Sequence, residues 1–405
     1  MKILFLTPYV PYPLNNGGLI RVYHLLINLA REHTVTTVCM EPDNEAQAKG
    51  IEIIRQHGVD IQTVPVANNQ KKEFKRLYQL LSLVSSKPYQ FKQYHSKTMQ
   101  AEINKQLKNG DHDLLMVEFS QMGYYELNTN VPSFVDQHNV EYEIMHRTFQ
   151  TESNPLRKLL AYSEWKKYHK QEIENCEKFT ACLTTSKRDA EILQERSPNM
   201  NCHVIPNGVD STFFSNDSTD TSRKTKNKNM VLFTGTISYY PNTEGILWFY
   251  QSIWPIIKNK NPEAVFCIAG KSPPPEIERL AQSDDSVQVT GMVDDMRDYY
   301  NMASVVVVPL RVGGGTRLKI LEGMSMAKAI VSTSVGAEGI DHSDNENILL
   351  RDTPDEFADA VVSLMNNEDM RHKIEKGGRE LVESKYDWQA VGNKLCKIFE
   401  ATVEN

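Results

Sequence analysis

Residues 309–326 read PLRVGGGTRLKILEGMSM. An apolar run from Val305 to Leu310 leads into three glycines, Gly313, Gly314 and Gly315, and an amphipathic pattern opens near Thr316 with Arg317 and Lys319 in its first turn. Strand, glycine loop and helix form the repeating unit of a parallel α/β sheet, whose strands are buried on both faces and read as unbroken apolar runs. Two cations at a helix N-terminus oppose the helix dipole. An anion bound at the same place removes the conflict, so the stretch reads as a phosphate site; without a ligand it is a solvated, frustrated helix start.

Outward from this stretch the unit recurs. Met230–Thr234, Ala264–Ala269, Val287–Thr290 and Ala329–Ser332 read as strands, and Thr243–Ile257 and Pro354–Met365 as helices. Toward the N-terminus, Lys2–Leu6, Val35–Met40 and Ile61–Val66 are strands, and Leu19–Arg31 and Ile51–His57 are helices. Such alternation specifies a doubly wound α/β sheet. It breaks over residues 206–229, where Pro206-Asn207-Gly208 is turn chemistry and Ser215–Asn229 is polar without periodicity. Two α/β domains, 1–205 and 230–384, joined by a linker at 206–229, are expected.

A length of 405 residues suits two or three domains. Hydrophobic content of 40% and charged content of 24% exclude a disordered or collagenous chain. With 45 basic against 52 acidic side chains the net charge is −7, which argues against a nucleic-acid partner. Charge divides unevenly, +1 over residues 1–205 and −8 over the remainder. No apolar run approaches the roughly 18 residues of a membrane span. The start, MKILFL, is followed by Pro8, Pro11 and Pro13 and lacks a small-residue cleavage site, so a cytoplasmic location is expected. Six scattered cysteines without a C-x-x-C pair read as reduced thiols, in keeping with it.

Three further stretches can carry chemistry. Asn16-Gly17-Gly18, with Arg21 one helical turn on, follows the first strand, where backbone N–H groups can meet a phosphate or the glycines can only shape a turn. Asp136-Gln137-His138-Asn139-Val140-Glu141 sets polar groups after the strand-like Pro132–Val135, as a ligand site or as satisfied structural polar groups. Ala269-Gly270-Lys271-Ser272 imitates the tail of a P-loop, but Val265 stands where that motif needs glycine, and Pro273-Pro274-Pro275 is expected to forbid the following helix. Asp111-His112-Asp113 and Asp294-Asp295 read as structural punctuation, so no metal site is assigned. Two basic amphipathic stretches remain. Lys71–Val84 carries Lys71, Lys72, Lys75 and Arg76 on one face, and a helix opening at Asn154-Pro155 carries Arg157, Lys158, Lys166, Lys167 and Lys170. They are solvated helix faces, or they meet an anionic membrane or a lipid-linked substrate.

Taken together, Gly17-Gly18-x-x-Arg21, Asp136-x-His138-Asn139-x-Glu141, the turn IPNGVD at 205–210, GTISYYPN at 235–242 and GGGTRLKILE at 313–322 resemble glycosyltransferase family 4 over nearly the whole chain. The resemblance implies a GT-B fold: two Rossmann-like, doubly wound domains facing a cleft, with a C-terminal helix, here 385–405, crossing back to the first domain. It implies a metal-independent, retaining transferase of hexosyltransferase type, requiring no cofactor, that moves a sugar from a nucleotide diphosphate sugar to a hydroxyl acceptor. The acceptor would be a polysaccharide or lipid-linked glycan, and the location cytoplasmic or peripheral on the inner face of the membrane through Lys71–Arg76 and Arg157–Lys170.

The implied catalytic residues are His138, Arg317 and Lys319. The implied donor contacts are Gly17, Gly18, Arg21, Gly235, Thr236, Gly270, Lys271, Met292, Gly314, Gly315, Thr316 and Glu322. His138 would touch the transferred sugar, Gly17 and Gly18 the diphosphate, the backbone around Gly291-Met292 the base, and Glu322 the ribose. Two departures stand out: Gly314 replaces the first glutamate of a Glu-x7-Glu pattern, and Thr236 and Glu244 stand where an Arg and a Lys usually hold the diphosphate. Arg317 and Lys319 are the cations left for that task. Two alternatives are a GT-B sugar-nucleotide epimerase and a catalytically silent GT-B subunit that stabilises a partner.

Overall fold

The computed structural model describes residues 1–66, 79, 81–83, 85–152, 154–215, 227–313 and 315–404. The basic stretch 71–76, Gly314 and residues 216–226 of the expected linker lie outside them. Two compact units result, Met1–Pro206 with Val391–Asn405, and Asn207–Ala390.

In the first unit seven parallel strands follow the chain: β1 (Lys2–Leu6), β2 (Thr34–Met40), β3 (Asp60–Val64), β4 (Leu114–Glu118), β5 (Ser133–Gln137), β6 (Ala181–Thr184) and β7 (Cys202–Val204), in the spatial order β3-β2-β1-β4-β5-β6-β7. In the second unit β8 (Met230–Thr234), β9 (Val265–Ala269), β10 (Val287–Gly291), β11 (Val305–Val308), β12 (Ala329–Ser332) and β13 (Leu349–Leu350) stand in the order β10-β9-β8-β11-β12-β13. The second order is the doubly wound 3-2-1-4-5-6 arrangement, and the first is the same arrangement extended by a seventh strand. Its direction of winding reverses between β1 and β4, and again between β8 and β11. Ligands bind at such reversals, outside the carboxyl ends of the strands.

The strands form because their residues are apolar and β-branched and are covered on both faces. Val305, Val306, Val307 and Val308 of β11 are wholly buried, as are Ile3, Leu4, Phe5 and Leu6 of β1. Each such side chain contributes about 1.5–3 kcal/mol relative to exposure. Helix starts are marked by side-chain caps: Asn16 accepts from the Leu19 N–H at 3.0 Å, and Asn154 from those of Leu156 and Arg157 at 3.1 and 3.2 Å, with Pro155 at the first helical position.

Several boundaries differ from the sequence expectations. A helix, Pro275–Ser283, does follow the three prolines. Proline in a first turn lacks only an N–H that has no helical partner there, so rejection of a P-loop rests on Val265 alone. The single helix expected over Thr243–Ile257 is Tyr240–Trp248, a π-helical turn Phe249–Ile253, and Trp254–Lys260. Pro255 supplies no N–H to the regular ladder, and the wider turn precedes it. Residues 207–215 belong to the second unit rather than to a linker: the Val209 N–H donates to the Tyr386 carbonyl at 2.8 Å and the Ser211 hydroxyl to Asp387 at 2.7 Å. The closing helix is Trp388–Val403, and the division between the units falls at Val391 rather than at 385. Trp388 packs on Gly208 in the second unit, and Phe399 on Phe134 in the first, with ring centroids 4.6 Å apart. Among the described residues no helix is long and apolar enough to cross a membrane.

Candidate functional site

In the second unit three strands end in bare backbone. Gly235 after β8 has φ +144°, Gly270 after β9 has φ +150°, and Gly291 ends β10 at φ +66°. The Gly235 N–H donates to the Ala269 carbonyl, and the Gly270 N–H to the Gly291 carbonyl, each at 3.1 Å. A Cβ on Gly270 would stand 1.7 Å from the Gly235 oxygen. Only glycine satisfies both the dihedral and the distance at this position. The predicted base contact, Met292, follows directly and is 83% exposed. Lys271 is exposed, and its carbonyl accepts from the Ile237 N–H at 3.0 Å.

The glycine loop after β11 delivers the cations to this strand end. Gly313 and Gly315 both have positive φ, and the helix begins at Leu318, so Arg317 occupies the capping position and only Lys319 lies in the first turn proper. Arg317 is buried, with its guanidinium lying over Gly313. The Lys319 ammonium sits beside Gly235, 3.8 Å above the centre of the Phe233 ring, and donates to Asn242 Oδ1 at 2.9 Å. Burial, reinforced by the like charge of Arg317 and opposed by Glu322, pushes its pKa down to about 7. Glu322 accepts from the Tyr300 hydroxyl at 3.0 Å, and burial holds its carboxyl above the ordinary range. The Thr316 hydroxyl is buried without a hydrogen-bond partner among the described residues. Thr236 contributes its carbonyl, which accepts from Asn242 Nδ2 at 2.8 Å. Glu244 is turned to Arg311, whose Nε donates to it at 3.0 Å. A glycine-lined strand end, two converging cations and an unsatisfied hydroxyl suit a phosphorylated ligand.

In the first unit Gly17 and Gly18 open the helix Gly17–Glu32, and a Cβ on Gly18 would lie 3.7 Å from both His138 Nδ1 and the Tyr9 hydroxyl. His138 is buried, with Nε2 2.8 Å from Glu118 Oε2 and 3.3 Å from Asp136 Oδ2. Burial lowers its pKa, but the two carboxylates outweigh burial and hold it above the usual imidazole range. Glu118 stands in register beside Asp136 on the adjacent strand, and burial with that neighbouring charge pushes it up to about 7. Phe119 takes φ +68°, and its ring lies 4.0 Å from the His138 ring. A non-glycine residue in that region stores strain, a feature concentrated at functional sites.

Arg21 departs from its expected place among the donor contacts. It is fully buried, donates from Nε and Nη2 to the two Asp136 oxygens at 2.7 Å each, and reaches the Pro206 carbonyl at 3.1 Å. Burial opposes ionisation of Asp136, but this guanidinium overrides it and holds the carboxyl well below the usual range. Glu118, Asp136 and His138 bring ligand-type atoms within 4.8 Å of one another. Asp136 is spent on Arg21, and His138 Nε2 on Glu118, so the trio is an ion-pair network supporting the histidine.

The second unit thus brings together Gly235, Thr236, Gly270, Gly315, Thr316, Arg317, Lys319 and Glu322, and the first brings together Gly17, Gly18 and His138. Tyr300, Glu118 and Phe119 lie outside the residues the sequence singles out, and Asn242 is quoted there only as the end of the GTISYYPN stretch, without a role. A carboxylate closing the apolar run Leu114–Glu118 was the one signal the sequence carried for Glu118.

Comparison with known proteins bears on the fold and on the second unit. Residues 228–367 match the family described as glycosyl transferases group 1. An uncharacterized 44.6 kDa protein in the cps region of Klebsiella pneumoniae is 24% identical over 174 residues, 41% of this chain and 45% of that one. The matched stretches span less than half the length of the curated relatives. Among solved structures, sucrose-phosphate synthase from Thermosynechococcus elongatus superimposes with a TM-score of 0.69 at 16% identity, covering 99% of this chain and 98% of that one. HepE of Anabaena, in complex with UDP, superimposes with a TM-score of 0.68 at 12% identity, covering 99% and 100%; it has also been solved with UDP-glucose. Residues 228–367 thus carry a match to the glycosyl transferase group 1 family, in a chain whose two parallel sheets have the GT-B fold.

Proposed function

We propose that the protein is a retaining glycosyltransferase of family 4 type that moves a sugar from a nucleotide diphosphate sugar to a hydroxyl of a polysaccharide or lipid-linked glycan. The observation that carries this reading is the placement of Arg317 and Lys319 at the glycine-lined ends of β8 and β11, with Glu322 one helical turn beyond. The leaving diphosphate gains negative charge as the glycosidic bond breaks, and fixed cations aimed at it stabilise the transition state more than the ground state. Glu322 accepts from the ribose hydroxyls and fixes the nucleotide. The two cations meet the diphosphate charge, so the reaction needs no metal, and chelator is expected to leave turnover unchanged. Retention follows a front-face route in which a leaving phosphate oxygen takes the acceptor proton.

Incubation with UDP-, GDP-, dTDP- and ADP-sugars, with and without cell-extract acceptors, tests the reading through nucleotide release. Release that depends on acceptor supports transfer. Release without acceptor points to an epimerase, and no release under any condition points to a silent subunit.

Membrane association belongs to the same reading. Leu156 and Leu159 are 80% and 55% exposed at the start of the helix Pro155–Cys176, beside Arg157 and Lys158. Apolar side chains flanked by cations suit an anionic lipid surface. Binding to anionic liposomes at low salt, weakened in Leu156→Ser/Leu159→Ser, is expected; indifference of the wild-type protein to such liposomes makes the face merely solvated.

A further inference from the structure

A cavity of about 160 Å³ lies in the first unit against the Phe119 ring that covers His138. Its volume is that of sites that admit a single six-membered ring, about 150 Å³. Tyr9, Tyr94 and Phe119 line it together with Pro8, Gln90, Gln121 and Glu141. Tyr9 and Phe119 stand 5.7 Å apart between ring centroids, tilted by 59°.

The polar groups are set before any ligand arrives. The Tyr168 hydroxyl donates to Gln90 Oε1 at 2.5 Å, and Gln121 Nε2 donates to the same oxygen at 2.8 Å. Both amides are thereby oriented, and the Gln121 carbonyl oxygen is left over. Gln121 is 5% exposed, and that oxygen is buried with no hydrogen-bond partner among the described residues. Buried polar atoms in native structures are almost always satisfied, so an orphaned acceptor on a residue that lines a cavity calls for a donor. Glu141 is fixed from below: its own N–H and that of Tyr142 each donate to the buried Glu172 at 2.9 Å, which pins the start of the helix Glu141–Thr151. Burial pushes the Glu141 carboxyl up to about 7, with His138 opposing, and no Lys or Arg lines the cavity among the described residues.

Apolar ring faces with a few fixed hydrogen-bonding groups recognise a molecule that has C–H faces and a hydroxyl rim. We infer that this cavity is the acceptor subsite and that it takes one uncharged pyranose ring, with its C–H face against the aromatic rings and its hydroxyls on Gln121 and Glu141. An acceptor ring bearing a carboxylate or phosphate is disfavoured, because its charge would face Glu141 and no Lys or Arg lines the cavity among the described residues to meet it. The word acceptor rests on the glycosyltransferase reading; the pyranose specificity rests on the cavity.

Saturation-transfer NMR on the full chain tests the inference, with methyl glucoside, methyl galactoside and methyl N-acetylglucosaminide as neutral probes, and glucuronate and glucose 6-phosphate as anionic ones. At least one neutral glycoside is expected to bind and neither anion to do so. Glu141→Ala and Gln121→Leu are expected to weaken that binding roughly tenfold, as loss of a buried hydrogen bond does, while a thermal shift with the nucleotide sugars stays that of the wild type and reports an intact fold. Absence of neutral-glycoside binding, equal binding of the anions, or unchanged binding in both variants overturns the inference. Glycoside binding without any response to nucleotide sugars instead defeats the transferase reading and leaves the pyranose site standing.

Discussion

The Lys319 ammonium is held 2.9 Å from Asn242 Oδ1, and the other end of the same Asn242 amide donates to the Thr236 carbonyl at 2.8 Å. One asparagine therefore ties a cation on the helix Leu318–Ser325 to the loop after β8. Removing the tie in Asn242→Ala leaves the charge in place but not its position. Turnover is expected to fall about tenfold or more, the effect of losing a hydrogen bond to a charged group, with nucleotide affinity changed less. Steady-state kinetics on the folded variant check the split.

Lys319 also makes donor binding depend on pH. With its pKa lowered from 10.5 to about 7, the side chain carries its charge below neutrality and loses it as pH rises. Affinity for a nucleoside diphosphate, measured by calorimetry, is expected to weaken as pH rises through neutrality, and Lys319→Arg to flatten the slope because guanidinium stays charged. The stability of the unliganded protein runs the other way. Between about 7 and 10.5 the unfolded chain binds more protons than the folded one, so this lysine's contribution to stability rises with pH across that window.

Arg317 and Glu322 are expected to separate cleanly. Arg317→Ala lowers turnover by about 3–4 kcal/mol, a factor of hundreds, with a smaller rise in donor KM, and Arg317→Lys restores part of it because a point charge replaces a planar fork. Glu322→Ala raises donor KM, since ribose contacts change little along the reaction. Intact turnover in both Arg317→Ala and Lys319→Ala would place the phosphate clamp elsewhere.

Arg21 is expected to act on stability rather than on the donor. Arg21→Met strands the buried Asp136 carboxylate, at a cost of about 3–5 kcal/mol, and Arg21→Met/Asp136→Leu recovers much of it. Chemical denaturation measures both. A rise in donor KM without loss of stability would restore Arg21 to the donor site.

Glu118 is expected to set the basicity of His138. Two carboxylates hold the imidazole above its ordinary range, so Glu118→Gln removes one negative charge and keeps an acceptor 2.8 Å away. The limb of the pH–rate profile that belongs to His138 is expected to move to lower pH. An unmoved limb would show that Glu118 only fills space.

Local chemistry made much of this protein legible before its coordinates. Buried parallel strands must be apolar runs, and helices between them must show a wet and a dry face, so the α/β alternation and the glycine loop before Arg317 and Lys319 could be read directly. The effect of proline is not legible in this way: the run ending at Pro275 reads as barring a helix, and the stretch Thr243–Ile257 reads as one unbroken helix across Pro255, whereas the outcome depends on which N–H has a partner. Pairings between distant residues were invisible. Arg21 reads as one more cation beside two glycines until the fold lays β5 next to its helix and gives it to Asp136, 115 positions away. Glu118 reads as the end of an apolar strand until the β4–β5 register sets it beside Asp136 and under His138. Strand identity is written in the period of the sequence; strand order, and with it the partner of every buried charge, arises only when the sheet closes around groups that cannot be left unpaired in a low dielectric.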